Sequence, residues 1–211
     1  MAKTSGRRGW RVFRGCVAAS LVLCFGLARA ETPATADGIE AVWKTHELHF
    51  EYRGGNTFYS CHGLHERLTR ILLHLGARKP PELRAYTCND TTGVARFQVT
   101  FESPLEATAD NVRELTDYDA REVLIARARG EQSPSAQDLE RFPAEWKTVS
   151  FSRDRRLNLD PGDCELVQQL RQQILPRMSV QVLRNRRCST FGNISRPSMT
   201  VSALVAEQRQ R

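Results

Sequence analysis

The sequence lacks several motifs by which common classes of enzyme are identified. It has no Gly-x-Ser-x-Gly nucleophile elbow, no glycine loop of the kind that binds phosphate, and no dinucleotide fingerprint. Its six cysteines form no Cys-x-x-Cys pair, which argues against a thioredoxin-type redox site and a zinc ribbon. After residue 30, no apolar run is long enough to cross a bilayer as a helix. The sequence therefore favours a binding or structural protein over an enzyme.

Acidic residues are absent from the first 30 positions, which we interpret as a cleaved signal peptide. A basic start precedes an apolar stretch over residues 17–27, and Ala28 and Ala30 supply the small residues that a signal peptidase reads. We predict cleavage after Ala30. The mature protein is then expected to be exported, soluble, periplasmic or secreted, and without a transmembrane segment.

The excess of positive charge belongs mostly to this predicted signal. It holds 6 of the 31 lysine and arginine residues, so that 25 basic groups face 24 acidic groups in the remainder. A nearly neutral mature chain loses the general indication of nucleic-acid binding that a basic protein carries. We therefore predict no nucleic-acid partner.

Two stretches of the mature chain repeat one pattern. The triplet Trp43-Lys44-Thr45 precedes Cys61 by the same 18 positions that separate Trp146-Lys147-Thr148 from Cys164. Each cysteine opens a helical pattern of apolar residues, and two alternating, strand-like patterns follow each helix. The pattern predicts an α+β fold of duplicated β-α-β-β units, with mostly antiparallel strands and the helices packed on one face. We assign residues 31–103 and 143–207 to the units, 104–142 to a helical connecting insert, and 208–211 to a polar tail.

Four cysteines remain after the signal and are expected to pair in an oxidising compartment. Three pairings are open to four cysteines. Each predicted helix is about as long as the strand that follows it, so the start of the helix lies beside the end of the strand. This geometry favours Cys61–Cys88 and Cys164–Cys188.

Several segments carry a resemblance to a known family. These segments are Tyr59-Ser60-Cys61-x-Gly63-Leu64, Leu75-Gly76-Ala77-Arg78, Trp146-Lys147, and Asp163-Cys164-Glu165-Leu166-Val167. Together they resemble uncharacterised exported proteins of proteobacteria, a family without an assigned activity. The resemblance implies a periplasmic setting and no catalytic residue.

The five histidines all fall between His46 and His74, which makes a metal-binding protein or a metal-dependent enzyme the main alternative hypothesis. His62 and His65 lie one turn apart on the first predicted helix, and His49 on the adjacent strand could complete a set of ligands. The competing interpretation is that they are exposed polar residues. Without this metal, no cofactor is predicted.

Trp43 and Trp146 start the two repeated stretches and are the remaining candidates for binding. Both lie on the sheet face opposite to that of the inward-facing residues. They either pack against a second layer or the other unit, or form a paired aromatic platform for a ligand in a cleft between the units. The leading hypothesis is a non-enzymatic module that binds an envelope protein or cell-wall component through a sheet face or edge. A small-molecule or peptide binder that uses the cleft is the second alternative.

Overall fold

The computed structural model of the chain describes residues 38–89, 93–130, 135–188 and 197–207. The predicted signal peptide and the polar tail lie outside these residues. The helices and strands, in chain order, are β1 (Ile39–Arg53), α1 (Cys61–His74), β2 (Glu82–Asn89), β3 (Val94–Glu106), α2 (Ala109–Thr116), α3 (Ala120–Ala128), β4 (Arg141–Ser150), α4 (Cys164–Gln173), β5 (Val180–Arg186) and β6 (Ser198–Ala206). Short 3₁₀ turns cover Arg155–Leu157, Pro161–Asp163 and Leu175–Arg177.

The six strands form one antiparallel sheet in the order β2-β3-β1-β4-β6-β5. The predicted α+β class is therefore confirmed, and the order β-α-β-β occurs twice along the chain. The order is symmetric between the two units. Exchanging β1 with β4, β2 with β5 and β3 with β6 gives the same strand order, read from the opposite edge of the sheet. The helices α2 and α3 lie between the units in sequence, whereas β3 and β4 extend into the range predicted for the insert.

The pairing registers of the two units are equivalent. Trp43 in β1 faces Pro104 in β3, and Trp146 in β4 faces Leu204 in β6. Successive side chains of a strand point to opposite faces of the sheet. Since the two registers are the same, residues at equivalent positions in β1 and β4 point to the same face within their units. The two tryptophans thus have the same place in their units.

One hydrophobic core joins the two units. Leu68 of α1 and Leu170 of α4 are both fully buried in the same cluster as Phe50, Phe97 and Val201 from the strands. Burial of each such side chain contributes roughly 1.5–3 kcal/mol. A second, smaller cluster lies where β1 meets β4, and it contains Ala41, Ala144 and Leu204.

Each unit has one disulfide bond beside its helix. The bonds join Cys61 to Cys88 and Cys164 to Cys188, and the Cα–Cα distance is 5.8 Å in both. This is the pairing that the lengths of the helix and strand favour. No helix in the described part of the chain is long and apolar enough to span a membrane.

Candidate functional site

Among the residues that the structure describes, strands of the two units pair with each other at one corner only. Strand β1 is 15 residues long and pairs with β3 over Ala41–Arg53. Its other edge pairs with β4 over only Ile39–Val42, against Arg141–Ala144. Beyond this corner, the edge of β1 that faces the second unit must be satisfied in another way.

Two glutamine side chains of α4 satisfy the far end of this edge. Gln173 accepts a hydrogen bond from the backbone N–H of Glu51 at 2.9 Å and donates to its carbonyl at 2.8 Å. Gln169 does the same for Arg53, at 2.8 and 2.7 Å. Residues four apart lie on one side of a helix, so the two amides stand in a column and replace a neighbouring strand.

Glu165 continues this column by one further turn of α4. Its carboxylate accepts hydrogen bonds from the backbone N–H of Gly55 at 2.9 Å and of Asn56 at 3.1 Å. The side-chain amide of Asn56 adds a third donor at 2.8 Å. A carboxylate near the start of a helix is also favoured by the helix dipole. The column therefore holds both the end of β1 and the loop that follows it.

The middle of the β1 edge is open. Glu51 and Arg53 direct their N–H and C=O groups towards α4, so the alternation of an antiparallel strand directs those of Thr45, Glu47 and His49 to the same edge. No residue in the described ranges pairs with these groups. A groove of about 580 Å³ runs along them, and we call it the β1 groove. It is lined by Lys44, Thr45, His46, Glu47, Leu48 and His49 on one side and by Gln173, Pro176 and Arg177 on the other.

His46 forms part of the floor of the β1 groove. Only 7 % of it is exposed, its Nε2 lies 2.9 Å from the Ser103 hydroxyl, and its ring stacks on Phe101. Burial, assisted by the nearby charges of Lys44 and Arg177, lowers the pKa of His46 to about 4. The imidazole is therefore neutral near pH 7, and the floor is polar but uncharged.

Two cations flank this neutral histidine. Lys44 forms an ion pair with Glu114 of α2, with an N–O distance of 3.0 Å. Arg177 ends the 3₁₀ turn after α4 and has no ion-pair partner among the residues that the structure describes. The carboxylate of Glu47 lies on the opposite face of the sheet, where it accepts a hydrogen bond from Gln98. The side of the groove that faces Arg177 is thus positively charged.

A second groove, of about 620 Å³, lies between the end of α1 and β4. We call it the β4 groove. It is lined by Trp43, Leu73, His74, Gly76, Ala77, Arg78, Glu145, Lys147, Arg156, Val205, Ala206 and Glu207. Two side chains of its lining have close acidic neighbours: His74 bonds to Asp154 at 2.6 Å, and Arg78 bonds to Glu140 at 2.7 Å.

A buried carboxylate fixes the start of α4 to the first unit. Asp163 is 1 % exposed and accepts hydrogen bonds from Arg67 Nε at 2.9 Å, from the Tyr59 hydroxyl, and from the backbone N–H of Asp160 at 2.6 Å. Arg67 also reaches the Asp160 carboxylate at 2.7 Å. Burial and the adjacent Asp163 raise the pKa of Tyr59, which keeps its hydroxyl protonated as a donor. Asp163 makes no side-chain capping bond to α4 itself, so its role is to join the two units.

The histidines predicted as metal ligands have other neighbours. The ring of His49 lies 5.8 Å from that of Tyr86, and His62 contacts Glu66 at 3.3 Å on the exposed side of α1. His65 lies on the same helix. Within the described ranges no three His, Cys, Asp or Glu side chains form a group that could hold a metal. The structure gives the hypothesis of a site at His49, His62 and His65 no support.

The two tryptophans line separate cavities. Trp43 stacks on Phe142 with a centroid distance of 4.2 Å and lines the β4 groove. Trp146 donates from its indole nitrogen to Glu106 at 3.0 Å and lines another cavity, of about 340 Å³. Each tryptophan contacts the other unit, so together they hold the corner at which the two halves meet. These contacts favour the packing interpretation over the paired platform.

The sequence contains a pattern that corresponds to the column of polar side chains on α4. Glu165, Gln169 and Gln173 are long polar residues at spacings of four, and all can reach a backbone from a helix. A polar helix face usually indicates solvent, however, and only the neighbouring β1 edge gives it another meaning.

No protein-family model, curated protein or solved structure matches this chain. The geometry of the β1 groove is therefore the basis for the proposed function.

Proposed function

We propose that this chain is an exported, disulfide-stabilised binding module of the cell envelope, and that it captures an extended segment of a partner polypeptide as an added strand on β1. The observation that carries the proposal is the open edge at Thr45, Glu47 and His49 in the β1 groove. Unpaired backbone groups on a strand edge are a template for another chain. Strand addition is a recurring mode of peptide recognition, in which main-chain hydrogen bonds supply affinity.

The dimensions of the groove support a short segment. The edge is bounded by the corner with β4 at one end and by Gln173 at the other. Five residues of an extended chain cover roughly 17 Å at about 3.4 Å per residue. Each of the three open residues offers one N–H and one C=O, so a segment of about five residues would satisfy the edge.

The compartment is part of the same proposal. Two disulfide bonds persist in an oxidising space, in agreement with the predicted signal peptide. Kinship with exported proteobacterial proteins and an origin by duplication are further proposals, and the second is supported by the equivalent registers of the two units.

Peptide selection tests the function directly. A phage-displayed library of random heptapeptides is selected on the purified mature protein, and the dissociation constants of selected peptides are measured by calorimetry. N-methylation of every second peptide residue, in the phase that faces β1, is expected to weaken binding at least tenfold, because it removes the donors to the open edge. N-methylation in the other phase should have little effect.

A matched pair of proline variants tests the protein side. Thr45 and Thr148 have equivalent places in β1 and β4, and each directs its N–H away from its paired strand within its unit. Thr45→Pro is expected to weaken peptide binding at least tenfold, and Thr148→Pro should leave it unchanged, provided that circular dichroism shows both variants folded. Equal weakening by both variants, or equal tolerance of both methylation phases, would refute strand addition on β1.

A further inference from the structure

The partner of the β1 groove can be described further from the side chains beside the open edge. Successive side chains of a strand alternate between faces, so Lys44 and His46 lie on the side of the groove that faces Arg177. Glu47 lies on the other face, beside Gln98. If a partner segment pairs with β1 as an added strand, every second side chain of that segment would lie in the groove, between Lys44 and His46 on one side and Arg177 on the other.

The charge of this space is positive and only partly compensated. Lys44 has Glu114 as its partner, whereas the guanidinium of Arg177 has no ion-pair partner in the ranges that the structure describes. Both cations also line a smaller cavity that continues from the groove towards Met178. Burial is the main cause of the lowered pKa of His46, and the charges of Lys44 and Arg177 lower it further.

The β4 groove differs in this respect. Its lining includes the carboxylates of Glu145 and Glu207 beside Lys147 and Arg156. Its other arginine, Arg78, is already paired with Glu140 at 2.7 Å. Preference for an anionic group is therefore expected in the β1 groove rather than in the β4 groove.

We infer that the β1 groove selects extended polypeptide segments that carry an acidic side chain opposite Arg177. The inference rests on the proposed function, because the acidic side chain is presented by a strand that is bound to the open edge. Arginine binds a carboxylate through charge-assisted hydrogen bonds in a fixed geometry, and Lys44 adds attraction without a fixed geometry. The paired main chains supply affinity, and the carboxylate determines which segments bind.

The probes are selected heptapeptides from the library, each made in two forms with glutamate or glutamine at the position that faces Arg177. The glutamate form is expected to bind about tenfold more tightly, as for a hydrogen bond to a charged group. Arg177→Gln should remove this preference, so that the glutamate and glutamine forms of each peptide bind the variant equally. The control is Arg184→Gln, which lies on exposed β5 outside the groove and should preserve the preference.

The outcomes separate this inference from the proposed function. If the peptides bind with the expected sensitivity to N-methylation but the two forms bind equally, the preference for acid is wrong and strand addition stands. A preference that survives Arg177→Gln also refutes the inference. If no heptapeptide binds, or if both methylation phases are tolerated, the proposed function itself is wrong.

Discussion

The two grooves occupy equivalent places in the two units, yet they present different parts of a strand. The β1 groove follows β1 along six consecutive residues, Lys44 to His49, and so exposes its backbone edge. The β4 groove meets β4 only at Glu145 and Lys147, two side chains of the same phase, and so exposes a face of that strand. The same arrangement of strands and helices thus exposes backbone hydrogen-bonding groups in the β1 groove and side chains in the β4 groove.

The helices beside the grooves differ in the same way. Gln169 and Gln173 of α4 bond to the backbone of β1, and Glu165 bonds to the loop beyond it. On α1, the counterparts of Glu165 and Gln169 are His62 and Glu66, which contact each other at 3.3 Å. No described residue of α1 bonds to the backbone of β4. The sheet registers of the two units are therefore equivalent, whereas the polar faces of their helices make different contacts.

Removal of either disulfide should have the largest effect, and the same effect in both units. We expect the double variants Cys61→Ala/Cys88→Ala and Cys164→Ala/Cys188→Ala each to lower the free energy of unfolding by about 3.5 kcal/mol, because the closed loops are similar in length. Urea denaturation measures both. A difference of more than about 2 kcal/mol between the two variants would contradict the equivalence of the units.

Loss of the buried ion pair should affect the junction between the units. Arg67→Met leaves the carboxylate of Asp163 buried without its cation, and we expect a loss of about 3 kcal/mol, near the lower end for such pairs because Arg67 is partly exposed. The control is Glu66→Gln, which breaks only the exposed contact with His62 and should cost less than about 0.5 kcal/mol. Similar losses in the two variants would show that Asp163 does not hold the units together.

Titration of His46 should make the first unit sensitive to acid. The unfolded histidine has a pKa near 6.5 and the folded one about 4, so the unfolded state binds the extra proton between these values. Stability is therefore fully present above pH 6.5 and falls as the pH drops towards 4, by about 2–3 kcal/mol. Acidic residues that titrate in the same range make a comparison with a variant necessary.

The second unit provides that variant. Val149 and Ala203 occupy the places that His46 and Ser103 occupy in the first unit. The double variant His46→Val/Ser103→Ala should lose less stability than the wild type between pH 7 and 4, and the difference between the two curves should be about 2–3 kcal/mol. Parallel curves from urea titrations over this range would show that His46 is not held neutral.

The smallest expected effect concerns the glutamine column. Gln173→Leu leaves the N–H and C=O of Glu51 without their protein partner, and because this edge is partly exposed we expect a loss of only about 1 kcal/mol. Hydrogen exchange is the sharper measurement: the amide of Glu51 should exchange faster in the variant, whereas that of Glu47 is fast already in the wild type. Arg70→Leu on α1 is the control and should leave the amides of β4 unchanged. Slow exchange at Glu47 in the wild type would mean that the edge of β1 is not open.

Local patterns were sufficient to predict the elements and the core. The alternation in Phe97, Val99 and Phe101 and the helical spacing of Leu64, Leu68 and Leu72 depend on near neighbours, and all six side chains are buried. The length argument for the cysteines is also local, since each disulfide closes a loop within one unit. Even the inward phase of His46 follows from the alternation of β1.

The candidate site could not be predicted in this way. The hydrogen bonds that define it join residues 122 positions apart for Gln173 and Glu51, and 96 apart for Arg67 and Asp163. A polar helix face and an acidic residue at a helix start have ordinary local explanations, namely solvent and capping. Only the relative placement of the units shows that Gln173 bonds to the edge of β1 and that Asp163 is buried against Arg67 of the first unit.

The corner at which the units meet also brings the start of β1 close to the end of β6. Ile39 and Ala206 both pair with Ala144, one on each side of β4, so they lie about 10 Å apart at the usual spacing between strands. A short linker would bridge that distance. A circularly permuted chain that begins at β4 would then trace the second unit before the first, and we expect it to keep every strand in its present position.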